Sequence, residues 1–176
     1  MIFRHHQRGV ALLEVLVAML IVAFGTLGFV GLQARTTVAN IEGYQRSQAL
    51  ILLNDIAQRI YLNRSNASAY LATNIGTVNP GDCTTKAIGA PRDLCEWALL
   101  IQGSAEQLQS GVKLGAVTGA RGCITSPATN QYLISIAWQG VQATGPSPNT
   151  CGQNAYSDEN MRRAVTTVIQ IGTLAL

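Results

Sequence analysis

The chain has 176 residues, a length that accommodates one small globular domain beside a single membrane segment. Its 12 basic and 9 acidic side chains give a net charge of +3, and the basic residues after Arg35 are scattered, which argues against a nucleic-acid-binding surface. Both histidines, His5 and His6, precede residue 9, so the remainder of the chain lacks the histidine dyads of hydrolases and most metal sites. We therefore expect a protein that is not an enzyme and binds no metal or cofactor.

The first element is an apolar run that follows a short basic leader. From Val15 to Leu32 the only polar side chain is Thr26, and a helix of about 20 such residues spans the core of a bilayer. Arg4 and Arg8 precede the run without any acid, so we expect the amino end to stay in the cytoplasm and the rest to lie outside it. The sequence thus predicts a single-pass membrane precursor.

A single carboxylate, Glu14, stands at the start of this run, five residues after Gly9. An isolated ionised carboxylate is costly in hydrocarbon, so Glu14 is expected to have a cationic partner. Cleavage after Gly9 would place a free amine on Val10, four residues from Glu14 and on the same helical face. The alternative is an uncut anchor in which Glu14 reaches the membrane interface. A secretory signal fits less well, because its apolar stretch is shorter and the small-x-small match at 37–39 is weak.

The junction Gly9-Val10-Ala-Leu-Leu-Glu14 resembles the class III leader of type IV pilins and pseudopilins. The resemblance implies that a prepilin peptidase cuts after Gly9 and N-methylates Val10. It also implies that Glu14 pairs with the terminal amine of a neighbouring subunit during assembly. The chain departs from the family in having Val10 where most members have phenylalanine.

The segment after the apolar run has the pattern of an amphipathic helix. It lacks proline as far as Arg64, and five apolar side chains recur at helical spacing on one face: Ala49, Leu52, Leu53, Ile56 and Ile60. We predict one helix over 10–61, with Asp55 and Arg59 in an i,i+4 ion pair. Three glycines in its apolar half, at 25, 28 and 31, leave two interpretations open: close packing between helices, or a stretch that melts during assembly.

Residues 63–176 have the turn signals and short periodic segments of a globular head. We predict a loop over 63–81 with a helical turn near 65–71, and a helix over 93–102 that is capped by Asp93 and buries Trp97. Alternating apolar residues predict strands over 132–138 and 165–171, with a shorter strand at 120–125. An antiparallel sheet covered by the amphipathic helix gives an α+β fold class.

Four cysteines all follow the membrane segment, on the side predicted to be oxidising. An even number of cysteines there predicts two disulfides, for which three connectivities are possible. We favour Cys83 with Cys95 and Cys123 with Cys151, because each pair brackets a turn-rich insert. The spacing contains neither Cys-x-x-Cys nor nearby histidine, so it does not indicate a zinc site.

Two groups of acidic residues have a simple interpretation as solvated surface. Asp82, Asp93, Glu96 and Glu106 lie in one part of the sequence, where solvation accounts for them without any catalytic role. The loop over 141–162 contains Asp158-Glu159-Asn160, which lacks the spaced oxygen ligands of a calcium loop. We interpret this loop as solvated too.

Further segments across most of the chain resemble the PilV group of type IV minor pilins, among them 44–50, 54–59, Cys95-Glu-Trp97 and 136–140. The resemblance implies the type IV pilin fold, with a leader at 1–9, a transmembrane half-helix at 10–34, an amphipathic half-helix at 35–62 and a head at 63–176. It implies a subunit that primes pilus assembly at or near the tip and supports adhesion or motility.

The same resemblance implies location and partners. The precursor would lie in the bacterial inner membrane with its head in the periplasm, and the mature subunit in the pilus. Its partners would be prepilin peptidase, other minor and major pilins through the N-terminal helix, the inner-membrane assembly platform and a tip adhesin. Two alternatives stay open: a pseudopilin of a type II secretion system, and a membrane-tethered periplasmic binding module that keeps its anchor.

Overall fold

A computed structural model describes the backbone of residues 8–104 and 117–172, with side chains from residue 11 onward. The predictions made for Arg4, His5, His6 and Glu106 fall outside these residues. Contacts divide the chain into two compact units, Met1–Ile41 and Glu42–Leu176.

The first unit consists of the amino-terminal part of helix α1, which as a whole covers Arg8–Leu62 and confirms the long helix predicted over 10–61. Side chains 11–37 are all exposed, and the helix contains an 18-residue window of mean hydropathy 2.5 with none of it buried. Such a helix is long and apolar enough to cross a bilayer. Gly25, Gly28 and Gly31 are helical, and an added methyl group at any of them would contact nothing within 4 Å.

The second unit has its core between the last turns of α1 and a four-stranded sheet. The predicted apolar face of the helix is confirmed, with Leu52 half-buried and the core positions fully covered: Ala49, Leu53, Ile56, Ala57 and Ile60. The facing sheet contributes Ile124, Ile134 and Ile136 to the same core. Burying side chains of this size removes apolar surface from water and provides the main stabilising term of a small head.

The sheet contains β1 (Ala72–Ile75), β2 (Arg121–Ala128), β3 (Gln131–Gln139) and β4 (Arg162–Gln170), all antiparallel and in that spatial order. This confirms the predicted α+β class, the strands predicted over 132–138 and 165–171, and the shorter strand predicted at 120–125. Strand β1 was not predicted, because its four residues lie in a stretch rich in Asn and Thr that has the composition of a loop. Its pairing with β2, far along the chain, holds it extended.

Helix α2 (Ala90–Ile101) begins three residues earlier than predicted, and Asp93 is not its cap. Gly89 occupies the cap position, and a proline lies in the first turn, where the missing N–H costs nothing. Asp93 instead lies in the first turn, within reach of α1. Trp97 is fully buried, as predicted, and its Nε1 donates to the Leu52 carbonyl oxygen at 2.9 Å.

Close packing of α2 on the sheet depends on Gly122. A methyl group at this position would lie 2.3 Å from the ring of Trp97. Because Gly122 has no side chain, the indole of Trp97 can pack directly against β2. The helical turn predicted near 65–71 is also observed, as a 3-10 helix over Arg64–Tyr70.

Both predicted disulfides are formed, Cys83 with Cys95 and Cys123 with Cys151. The first joins a short 3-10 turn to α2, and the second holds the loop around Cys151 against the outer face of the sheet. As a result β3 is buried on both faces, with Ile134 and Ile136 in the core and Ser135 and Ala137 beneath the loop.

Candidate functional site

The predicted processing and assembly residues lie in the first turns of α1. Gly9 and Val10 have helical backbone, and Glu14 follows Val10 by four residues, so the two positions share one helical face. The Glu14 side chain is exposed and makes no hydrogen bond or ion pair with any residue that the structure describes. The only other charged residue within 11–41 is Arg35, which stands 21 positions away and cannot reach it along a helix of 1.5 Å rise.

The surroundings of Glu14 in the first unit are apolar. The large hydrophobic side chains between Leu12 and Leu32 are 46 to 71% exposed, without a partner in the described part of the chain. Such a surface is stable in lipid or against other apolar helices, and both environments make an unpaired carboxylate expensive. Within residues 11–41, therefore, no described cation can neutralise Glu14.

In the head, Arg59 is the centre of an ionic cluster between α1 and α2. Its guanidinium lies 2.9 Å from Asp55, 3.3 Å from Asp93 and 2.6 Å from Glu96. The predicted pair with Asp55 is confirmed, but treating Asp93 and Glu96 as solvated surface was wrong. Helix α2 brings both onto a cation 34 and 37 residues earlier, and linear spacing carries no signal of that approach.

Electrostatics in this cluster favour the charged arginine and the neutral phenol. Burial on its own lowers the pKa of Arg59, but the hydrogen bond to Glu96 and the charge of Asp55 outweigh it and raise the value. The hydroxyl of Tyr70 donates to Asp93 and is fully buried. Burial first, and the bond to Asp93 second, raise the pKa of Tyr70 to about 12. The cluster therefore serves to bind two helices together.

A second ion pair fixes the connection that follows β3. One Glu42 carboxylate oxygen accepts from the Val141 amide at 2.7 Å and lies 3.5 Å from the Arg163 guanidinium. Gly140 is needed at this point, since a methyl group there would lie 2.8 Å from the Glu42 oxygen. Charge and close approach together attach the loop to α1 within the second unit.

The loop over 141–162 is largely exposed, as expected, but a buried arginine at its end anchors it. Arg162 is only 2% exposed, and its guanidinium donates to the carbonyl oxygens of Ser147, Asn149 and Cys151. Glu159 balances its charge at 2.6 Å. Satisfied donors make a buried arginine tolerable. The only feature of the sequence that could have indicated this pair is the spacing of Glu159, three residues before Arg162 at the start of β4.

No group of three or more His, Cys, Asp or Glu side chains arranged to hold a metal ion occurs within 8–104 and 117–172. Asp55, Asp93 and Glu96 share the Arg59 guanidinium, which supplies the positive charge among these three carboxylates.

Comparison with known proteins gives two adjoining matches to family models. Residues 4–30 match the prokaryotic N-terminal methylation motif, and residues 31–99 match the type IV pilin Tt1218 family. No curated protein and no solved structure matches the chain. The first match covers Gly9, Val10 and Glu14 together with the apolar run, and the second covers the rest of α1 as far as α2. The leader and apolar helix are those of an inner-membrane precursor that becomes part of a surface pilus. The chain therefore belongs to the type IV pilins, structural proteins that a prepilin peptidase processes and that assemble into a pilus.

Proposed function

We propose that this pilin is a minor subunit of the PilV type, which helps to start the filament at or near its tip and supports adhesion or motility. The resemblance of its segments at 44–50, 54–59, 95–97 and 136–140 to that group supports a minor role. In this proposal, residues 1–9 are removed as the leader, 10–34 cross the membrane, 35–62 form the amphipathic half-helix, and 63–176 form the head.

The observation that carries the processing and assembly steps of this proposal is the unpaired Glu14. It is exposed on an apolar helix, it has no partner in the described residues, and it lies one helical turn after Val10. Cutting after Gly9 creates a cation, the amine of Val10, which in this proposal pairs with Glu14 of an adjacent subunit. In a medium of low dielectric constant such a pair is stronger than at a wet surface, so it fixes the axial register of neighbouring helices.

Intact-mass spectrometry of the protein from membranes and from sheared filaments tests the processing step. We expect a chain that begins at Val10 and carries one additional methyl group. A Gly9→Leu variant, made as the control, should remain at the mass of the full precursor and stay in the membrane. A wild-type mass that corresponds to residues 1–176 would contradict the proposal and favour the tethered binding module.

The abundance and location of the mature chain test the finer assignment. Quantitative immunoblotting of sheared pili should find this subunit at a small fraction of the major pilin, and immunogold label should be confined to filament ends. Label along the whole filament would indicate a major pilin. Absence from pili, with loss of protein secretion in a deletion strain, would favour the pseudopilin.

A further inference from the structure

A polar pocket opens on the outer face of the sheet and takes no part in the proposed assembly role. Its volume is about 160 Å³, and it lies between β1, β2, β3 and the loop held by the Cys123–Cys151 disulfide. Successive side chains of a strand point to opposite faces, so with Ile124 in the core, Cys123 and Thr125 project outward. All of the lining residues belong to the second unit.

The lining of the pocket is uncharged. None of its eleven residues is acidic or basic. A charged ligand would lose its hydration here without gaining a counter-charge, which disfavours anions and cations alike. The ligand that fits is electrically neutral.

The pocket nevertheless contains many free hydrogen-bonding groups. The side chains of Asn74, Thr125, Thr150 and Gln153 make no hydrogen bond to another described residue. Amides and hydroxyls both donate and accept, as the hydroxyl groups of a sugar do. Leu133 adds an apolar wall against which the C–H face of a sugar ring can pack.

One wall of the pocket, formed by Asn149 and the disulfide-bonded Cys151, is fixed before any ligand arrives. Asn149 uses its amide within the protein, donating to the Ser135 hydroxyl at 3.0 Å and accepting from the Cys151 amide at 2.8 Å. Asn74 has left-handed backbone at φ 57°, a conformation that asparagine adopts more readily than most residues. Pre-organisation of this kind lowers the entropic cost of binding.

We propose that this pocket binds one ring of a neutral sugar, an uncharged polyhydroxylated ligand. The proposal goes beyond the assembly role and does not depend on it. A peptide backbone offers similar donors and acceptors, but it needs an extended groove, and the volume of this pocket corresponds to about one ring. The sugar is therefore the favoured occupant.

Saturation-transfer NMR on the full-length chain tests this, in a zwitterionic detergent that carries no sugar headgroup. The probes are methyl glycosides of neutral hexoses and N-acetylhexosamines, with glucuronic acid as a charged comparison and N-acetylglycine amide as a peptide mimic. We expect saturable transfer to at least one neutral glycoside and weaker transfer to the other two probes.

Two variants and one matched control locate the signal. Asn74→Gly removes the amide and retains the backbone conformation, and Thr125→Val removes one hydroxyl at nearly constant volume. Each should weaken sugar binding about tenfold, the loss expected for one or two hydrogen bonds. Asn130→Gly is the control, because Asn130 has the same left-handed backbone at φ 58° but does not line the pocket.

Neutral-sugar binding that is weakened in the two pocket variants and unchanged in Asn130→Gly would support the site. No transfer to any neutral glycoside would overturn it, as would equal binding by wild type and Asn74→Gly. Preferential binding of the peptide mimic would also overturn it and identify a peptide pocket instead. Native disulfides and circular dichroism of each variant ensure that the comparison is made between folded proteins.

Discussion

The apolar half of α1 and the second unit differ in whether their charged side chains have partners within the chain. In residues 11–41 the carboxylate of Glu14 has no partner in the described chain, whereas in the head Arg59 is matched by three carboxylates and Arg162 by Glu159 and three carbonyl oxygens. These two arginines of the second unit have counter-charges within the chain, and the carboxylate on the apolar helix has none among the described residues. In our proposal, this unpaired carboxylate is the point at which assembly acts.

The comparison is tested most strongly by Glu14→Ala, the substitution from which we expect the largest effect. Incorporation into pili should fall at least tenfold, because the amine of a neighbouring subunit loses its counter-charge. Immunoblots of sheared filaments against total membranes measure the ratio. Insertion, both disulfides and the thermal transition of the head should be unchanged. Full incorporation of the variant would contradict the role proposed for this carboxylate.

Removal of a disulfide should instead lower the stability of the head. For Cys123→Ser/Cys151→Ser, chain entropy predicts a loss of about 3.6 kcal/mol, against about 2.8 kcal/mol for Cys83→Ser/Cys95→Ser, because the first closes a longer loop. Denaturant unfolding followed by circular dichroism measures both free energies. A greater loss from the shorter loop would show that local packing, and not loop closure, decides the cost.

Arg59→Met should destabilise the head by about 2 kcal/mol, because Asp55, Asp93 and Glu96 would face one another without a cation. Arg64→Met is the matched control, as Arg64 is exposed and should change little. Equal losses of unfolding free energy in the two variants would show that the Arg59 cluster does not stabilise the fold.

The smallest effect concerns Tyr70 and emerges only at alkaline pH. The folded state raises the pKa of this phenol from 10.0 to about 12. The contribution of the phenol to the free energy of unfolding is therefore complete below pH 10 and is lost as the pH rises toward 12. The wild type should lose about 1 kcal/mol from this group by pH 11, and Tyr70→Phe should lack that part of the slope. Tyr44→Phe, at an exposed tyrosine, is the control. An identical alkaline slope in Tyr70→Phe and wild type would refute the assignment.

Sequence patterns predicted the parts of this protein that depend on neighbours along the chain. The helical period of Ala49 to Ile60 indicated the buried face of α1, and alternation predicted β3 and β4 with the correct orientation of Ile134 and Ile136. The short β1 and the early start of α2 were not predicted. Strand β1 is held by pairing with β2, and α2 starts after Gly89 with a proline in its first turn, which a search for an acidic cap overlooked.

For the candidate site the same division holds. Gly9, Val10 and Glu14 form a local motif and could be recognised from the sequence, where a carboxylate in a membrane-length apolar run has few explanations. The roles of Asp93, Glu96 and Arg162 could not, because each depends on a residue or carbonyl brought near only by the folded chain.

By itself, then, the sequence determined the long helix, the membrane-length apolar run, the processing motif and the presence of two disulfides. These follow from periodicity, hydropathy and composition, which are properties of consecutive residues. The tertiary structure alone decided how α2 is bound to α1 through Arg59, how Arg162 supports the loop around Cys151, and that β1, β2 and β3 form a neutral pocket beneath that loop. Contacts between residues distant in the chain, with energies set by burial and geometry, leave no regular trace in the order of the amino acids.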